Sequence, residues 1–267
     1  MTDHDGEFPR LSEDNQRIWE GNAIWWDNRI GDGNEFQTLL IEPATERLLR
    51  PGPGDTILDI ACGAGRFARR MAELGARVLA FDQSERFITR ARERTLPSAT
   101  IDYRVATLDT MATAFADAMP AAKAVCTMAI MDMPEVRPLF AALRNVLSSG
   151  GVFVFSLTHP CFHSADIHRF AEIGEQSDGR HVVRTGVKVS SYLSPSARKT
   201  EGIVGQPEPQ WFFHRPLSLL LRHGFDAGFS VDGLEEPRLP SSNDKPGVRW
   251  RNMPDIPPIM VVRMRRA

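Results

Sequence analysis

In Ile57-Leu58-Asp59-Ile60-Ala61-Cys62-Gly63-Ala64-Gly65-Arg66 a short apolar run passes through a glycine turn into a segment of helical pattern. Pro51-Gly52-Pro53-Gly54-Asp55 ahead of it is a turn, so the run reads as a strand buried on both faces, the first central strand of a sheet. Gly63 and Gly65 lack a Cβ, which lets the backbone approach a ligand closely, and the helix that follows offers unpaired N–H groups at its start. Asp82 ends the next apolar run. A carboxylate there can accept two hydrogen bonds from ribose hydroxyls. Gly63-Ala64-Gly65-Arg66-Phe67-Ala68 also satisfies the dinucleotide fingerprint G-x-G-x-x-A, a weak match by itself. Asp59 separates the alternatives, because a carboxylate at the strand end repels a pyrophosphate and suits a cationic ligand. The blander reading is that the glycines only make a tight turn and Asp82 only caps a helix; it requires turn, context and acid to coincide.

Outward from this turn, helix and strand patterns alternate: a helix over 66–74 stopped by Gly75, a strand over 77–81, a helix from Ser84 to about 94 and a strand over 101–105. A strand over 124–131, a helix over 135–147 ended by Gly150-Gly151, and a strand over 152–158 follow. This βαβ rhythm predicts an α/β fold with a doubly wound parallel sheet. Upstream, residues 1–14 are polar and read as a frayed or lid-forming lead. A helix over 15–27 carries Ile18, Trp19, Ala23, Trp25 and Trp26 on a thick apolar face, Gly31 to Asn34 break it, and a second helix covers 35–49. Residues 161–213 hold one strand-like run, 182–189, and no crossover helix, which predicts a functional insertion. A helix over 216–227, a strand over 228–234, a polar Pro-rich loop and a strand over 258–264 close the chain. The expected organisation is a helical lid over 1–50 and one domain over 51–267, with the insertion 161–213 as a substrate lid.

Hydrophobic residues at 42% and charged residues at 25% suit a sizeable core, and a net charge of −2 lacks the basic excess of a nucleic-acid binder. Cys62, Cys126 and Cys161 are odd in number and show no zinc spacing, so no metal is expected and a reduced, cytoplasmic chain is. The N-terminus lacks the pattern of a signal peptide, and no apolar run approaches membrane-spanning length.

At the glycine turn and its neighbours the sequence resembles the class I S-adenosylmethionine-dependent methyltransferases, specifically a small-molecule branch similar to quinone-biosynthesis enzymes. The resemblance spans about residues 57–157. It implies a Rossmann-like seven-stranded sheet in the order 3-2-1-4-5-7-6 with the last strand antiparallel, and S-adenosyl-L-methionine as cofactor. The first motif is Asp59-x-Ala61-x-Gly63-x-Gly65, with Cys62 inside it, and Asp59 would help hold the α-amino group of the methionine moiety. Asp82 is the second-strand acid and Gln83 the residue packed on adenine. Thr107 stands where the family often has an acid near the adenine amine, with the Leu108 N–H or Asp109 as substitutes. Cys126 to Asp132 resembles the fourth motif, placing Thr127 and Met128 at the methionine end.

The acceptor side is read from the residues alone. Trp25 and Trp26 are adjacent, so both cannot face one core, and one of them covers the cofactor, where an aromatic face suits a sulfonium. His159 leaves the fifth strand at the rim where open α/β sheets bind ligands and is the candidate general base. Asp132, His163, Trp211 and His214 complete the expected acceptor pocket. Arg86, Arg90 and Arg94 share a helical face that reads as solvated. The function expected is methyl transfer to a small-molecule acceptor by a monomer or homodimer, without nucleic acid or membrane. The rivals are an NAD(P)-dependent oxidoreductase using the same turn and a catalytically silent cofactor-binding module.

Overall fold

The computed structural model describes residues 5–163, 167–240 and 247–267. The first four residues of the polar lead, a short piece of the insertion and part of the Pro-rich loop lie outside the described residues. The chain begins with helix α1 (Ser12–Ile30), a π-helical turn Phe36–Ile41 and α2 (Glu42–Leu49). Then follow β1 (Thr56–Ile60), α3 (Arg66–Glu73), β2 (Arg77–Asp82), α4 (Glu85–Glu93), β3 (Ile101–Val105) and the short α5 (Met111–Ala114). After these come β4 (Ala121–Thr127), α6 (Arg137–Val146) and β5 (Leu147–Thr158). Two hairpins, β6 (Ile167–Glu175) with β7 (His181–Val189) and β8 (Ser196–Thr200) with β9 (Gln210–His214), precede α7 (Leu217–Asp226), β10 (Phe229–Glu235) and β11 (Ile259–Arg266).

Seven strands form one sheet in the order β10-β11-β5-β4-β1-β2-β3, with all strands running the same way except β11, which is antiparallel to both of its neighbours, β5 and β10. This is the expected seven-stranded order. The period of two along each strand feeds two cores. Leu58, Ile60, Leu79, Phe81, Phe153 and Phe155 pack against Phe140, Leu143 and Leu220 of α6 and α7. Ile57, Val78, Ala80, Val125 and Val154 pack on the other face against Leu49, Phe67, Met71 and Ile88. Among the described residues, no helix is long and apolar enough to cross a membrane.

Several expectations need correction. The fourth strand stops at Thr127, not 131, because Met128 turns left-handed (φ 53°) and a 3₁₀ turn Ile130–Asp132 follows. The fifth strand starts at Leu147, with Gly150 (φ 72°) inside it rather than ending a helix. Residues 161–213 hold two hairpins in place of one strand-like run. The described part of the polar lead is anchored, not frayed. Buried Glu7 accepts the Val136 and Arg137 N–H groups (2.9 and 3.1 Å), and buried Arg215 donates to the Gly6 and Pro134 carbonyls (2.7 and 2.8 Å).

Candidate functional site

The turn after β1 is built by backbone geometry. Ala61 (φ 54°), Gly63 (φ 54°) and Gly65 (φ 74°) are all left-handed. At Gly65 a Cβ would lie 2.3 Å from the Tyr103 hydroxyl, so glycine is needed both for φ and for the close approach of α3 to β3. Asp82, at the end of β2, cinches the turn: one carboxylate oxygen accepts the Gly63 N–H (3.0 Å) and the other the Ser84 N–H (2.9 Å). Ser84 in turn caps α4 by accepting the Phe87 N–H (3.1 Å). Ala61 and Met128 thus place two non-glycine, left-handed residues at the carboxyl ends of the adjacent strands β1 and β4. Each costs on the order of 1–2 kcal/mol, and such strain gathers at functional sites.

A cavity of about 200 Å³ opens at this turn. It gathers Ala61, Cys62, Gly63, Thr127, Met128 and Trp26 from the residues singled out in the sequence. It also brings in Trp19, read from the sequence as part of the same aromatic helix face but not as a site residue, and Phe87, Gln37, Arg66 and Arg69, which were not singled out. Helix α1 covers the cavity and is fastened there. Asp27, buried, pairs with Arg90 (2.5 Å) and Arg94 (2.6 Å) of the α4 region, and Glu20 meets Ser84 (2.5 Å) and Arg86 (3.3 Å). The arginine face that reads as solvated is therefore the seat of α1. Trp19 packs against Trp26 (ring centroids 5.6 Å apart) and Phe87 (6.4 Å). Arg66 is paired with Glu42 (2.6 Å), and Arg69 donates to the Ala64 carbonyl (2.7 Å).

The electrostatics beneath the turn are those of two carboxyls in a dry place. Asp59 is 1% exposed and neither carboxylate oxygen has a hydrogen-bond partner. Burial, and then the charge of Asp82, pushes its carboxyl up to about 8. Burial also raises Asp82, to about 6, with the Ser84 and Gly63 N–H groups pulling the other way. Burial first, then the two carboxylates, pushes the Cys62 thiol well up, so it is not a thiolate nucleophile.

The remaining candidates are scattered. Asp59 and Asp82, beneath the turn, and Gly65, within it, do not line the cavity, and Gln83, Thr107 and Leu108 are off its wall as well; Thr107 is exposed and bonds Thr110 (2.9 Å from its N–H). Trp25 stands edge-on to Trp26 and is also off the cavity wall. Both ring nitrogens of His159 are engaged: Nδ1 accepts the Cys161 N–H (3.1 Å), which leaves Nε2–H to donate to Glu236 (2.8 Å). Burial, against the pull of Glu236, lowers its pKa. His163 and His214 line a separate cavity of about 10 Å³ with Thr158, room for about one water. The Thr158 hydroxyl and the His163 Nδ1 are unpartnered there, and burial lowers His163 to about 4. Trp211 donates its indole N–H to Asp14 (2.8 Å). Asp132 is buried, accepts from the Gln210 side chain (3.0 Å), and is pushed up to about 8 by burial. Trp19 was the most legible of the missed residues, since it lies seven positions before Trp26 on the same helix face.

Residues 57–151 match a family model described as "Methyltransferase domain". The ubiquinone biosynthesis O-methyltransferase of Hahella chejuensis is 30% identical over 135 residues, 49% of this chain and 55% of that protein. The chain thus spans about half the length of the curated relatives it matches. A solved S-adenosylmethionine-dependent methyltransferase from Mesorhizobium loti is 26% identical, with a TM-score of 0.62 over 84% of this chain and 96% of that one. The magnesium protoporphyrin IX methyltransferase of Synechocystis, solved with S-adenosylmethionine bound, shares the fold at 12% identity, with a TM-score of 0.56 over 94% and 95%.

Proposed function

We propose that this chain, a class I S-adenosylmethionine-dependent methyltransferase by domain and by fold, transfers the cofactor's methyl group to a small-molecule acceptor. The observation that carries the reading is Asp59, a buried carboxyl with both oxygens unpartnered, beneath the strained glycine turn whose Ala61, Cys62 and Gly63 line the cavity. A pyrophosphate is poorly served there: Asp59 and Asp82 underlie the turn, and the nearby Arg66 already pairs with Glu42. A methionine ammonium is well served, which disfavours the NAD(P) reading.

When bound, the sulfonium supplies a methyl already electrophilic, so the protein's work is placement and the exclusion of water. Asp59 would hold the ammonium group, and Asp82, with acceptor capacity beyond its two backbone bonds, the ribose hydroxyls. Trp19, Trp26 and Phe87 offer aromatic faces to a cation and its nucleoside. Residues 1–50 would act as the lid, through α1, and the insertion 161–213 as the acceptor side. The three cysteines are free, which suits cytoplasmic residence; the working unit would be a monomer or homodimer.

Calorimetric titration with S-adenosylhomocysteine, NAD(H) and NADP(H) tests the reading. Binding of the first alone is expected. Preference for a nicotinamide dinucleotide would overturn it, and cofactor binding without turnover on any metabolite panel would leave a silent binding module.

A further inference from the structure

The face of α1 that carries Trp19 and Trp26 also carries Asn15 and Asn22, which lie on one helical stripe at spacings of four, three and four. Asn22 is fully used: its amide brackets the Glu208 backbone, donating to the carbonyl (2.8 Å) and accepting the N–H (3.2 Å). Asn15 is not. Its amide donates to the Asp132 carbonyl (3.0 Å), while its Oδ1 is buried without a partner. Gln210 repeats the pattern at the start of β9. It is 6% exposed, donates to the Asp132 carboxyl (3.0 Å), and leaves Oε1 buried and unpartnered. Asp132 lies in the turn just beyond Met128, which lines the cofactor cavity.

Asn15, Asp132 and Gln210 are not on the wall of that cavity, but the cluster is tied to it through Gly202. A Cβ added at Gly202 would lie 2.9 Å from the Trp26 ring and 3.2 Å from Gln210 Oε1, so the indole on the cavity wall and the orphaned oxygen flank one α-carbon. Buried acceptors without partners are costly and scarce in folded proteins. Here they are of one kind: both orphaned atoms are amide oxygens, each on a side chain that bonds Asp132, whose carboxyl can accept as well. The complement is a group with several hydrogens to donate. An amine brings at least two in its primary form, an alcohol brings one, and a phenolate or carboxylate brings none.

We infer that Asn15, Gln210 and Asp132 form the methyl-acceptor subsite and that the acceptor is an amine. This rests on the methyltransferase reading above. In the transfer the nitrogen lone pair forms the new N–CH₃ bond as the S–CH₃ bond breaks, its electron pair staying on sulfur. The proton that the alkylated nitrogen sheds passes to the Asp132 carboxylate. Burial pushes that carboxyl up to about 8, so the ionised form that takes the proton is the minority at neutral pH and grows as pH rises toward 8.

The experiment uses the full chain saturated with S-adenosylhomocysteine. It is titrated with benzyl, phenethyl, cyclohexylmethyl and hexyl amines, each beside the alcohol and the carboxylate of the same skeleton. At least one amine is expected to bind about tenfold or more tighter than its alcohol, with the carboxylates not binding. Gln210→Leu should weaken amine binding about tenfold, Gln210→Glu should restore it by adding charge, and both should keep the affinity for S-adenosylhomocysteine. Should Gln210→Leu not fold, Asn15→Leu serves for it. Alcohols or carboxylates bound as well as amines, no amine bound, or variants indifferent to the change would overturn the subsite. Loss of S-adenosylhomocysteine binding by the unaltered protein would instead sink the methyltransferase reading.

Discussion

Asn in place of Asp59 keeps the shape of the side chain and removes its charge, which isolates what the buried carboxyl does. In the folded protein the carboxyl is pushed from 3.8 up to about 8, by burial and then by Asp82. At about 1.4 kcal/mol per pH unit, the ionised form costs the ligand-free fold at most about 6 kcal/mol. The unfolded chain gives up this proton near 3.8 and the folded chain near 8, so between them the folded state holds the extra proton. Stability therefore falls as pH rises through that window. Asp59→Asn should melt at the same temperature as wild type near pH 4 and higher above pH 8. A bound ammonium reverses the preference by favouring the carboxylate. With the carboxyl at about 8, roughly 0.9 proton should leave per cofactor bound at pH 7, and affinity should rise about thirtyfold from pH 5.5 to pH 7. Asp82, raised to about 6, titrates in the same window and in the same direction. Calorimetry in phosphate and in Tris, which differ in ionisation heat, counts the protons. Equal heats in both buffers, or an Asp59→Asn variant that binds S-adenosylmethionine like wild type, would refute the assignment.

Three further outcomes are expected. Asp82→Ala should weaken S-adenosylmethionine binding by about 1–3 kcal/mol and also lower the melting temperature, because the Gly63 and Ser84 N–H groups lose their acceptor; calorimetry and thermal melts read the two effects separately. His159→Ala should lower the melting temperature while cofactor affinity and the rate of methyl transfer stay near wild type, since both ring nitrogens are already engaged; a rate loss of about 10²-fold or more would restore His159 as a base. Hydrogen exchange over Trp19 to Trp26 should slow on saturation with S-adenosylhomocysteine, and Asp27→Asn, which cuts the ties to Arg90 and Arg94, should speed it in the free protein. Exchange indifferent to both would make α1 a fixed wall.

The parts of the fold written in contiguous residues were legible. The apolar run of β1, the glycines and Asp82 are each local statements about one strand or one turn, and they placed Ala61, Cys62 and Gly63 on the cavity. Boundaries failed where tertiary contacts override pattern. Residues 128–131 are as apolar as a strand, yet Met128 donates its N–H to Ser156 and turns the chain left-handed. The insertion looked irregular because its hairpins are half-exposed and carry little apolar alternation; β6 shows exposed or half-buried residues throughout.

The proposed acceptor side was illegible for a different reason: its residues come together from across the chain. Asn15 and Asp132 meet from 117 residues apart, and Asp132 and Gln210 from 78. Charge patterning misled in the same way. Arg90 and Arg94, four apart on a helix, look the same in sequence whether they face water or a buried carboxylate on another helix, and only Asp27 decides it. Asp27 itself is a lone acid at the end of a tryptophan-rich helix, with nothing local to show that it is buried. The tie has a functional corollary. It draws α1 across the cavity, and the same stripe that brings Trp19 and Trp26 over the turn carries Asn15 to Asp132. On the proposed roles one helix aligns cofactor cover and acceptor cluster, so loosening Asp27 should impair both affinities together, whereas Gln210 variants should impair only one.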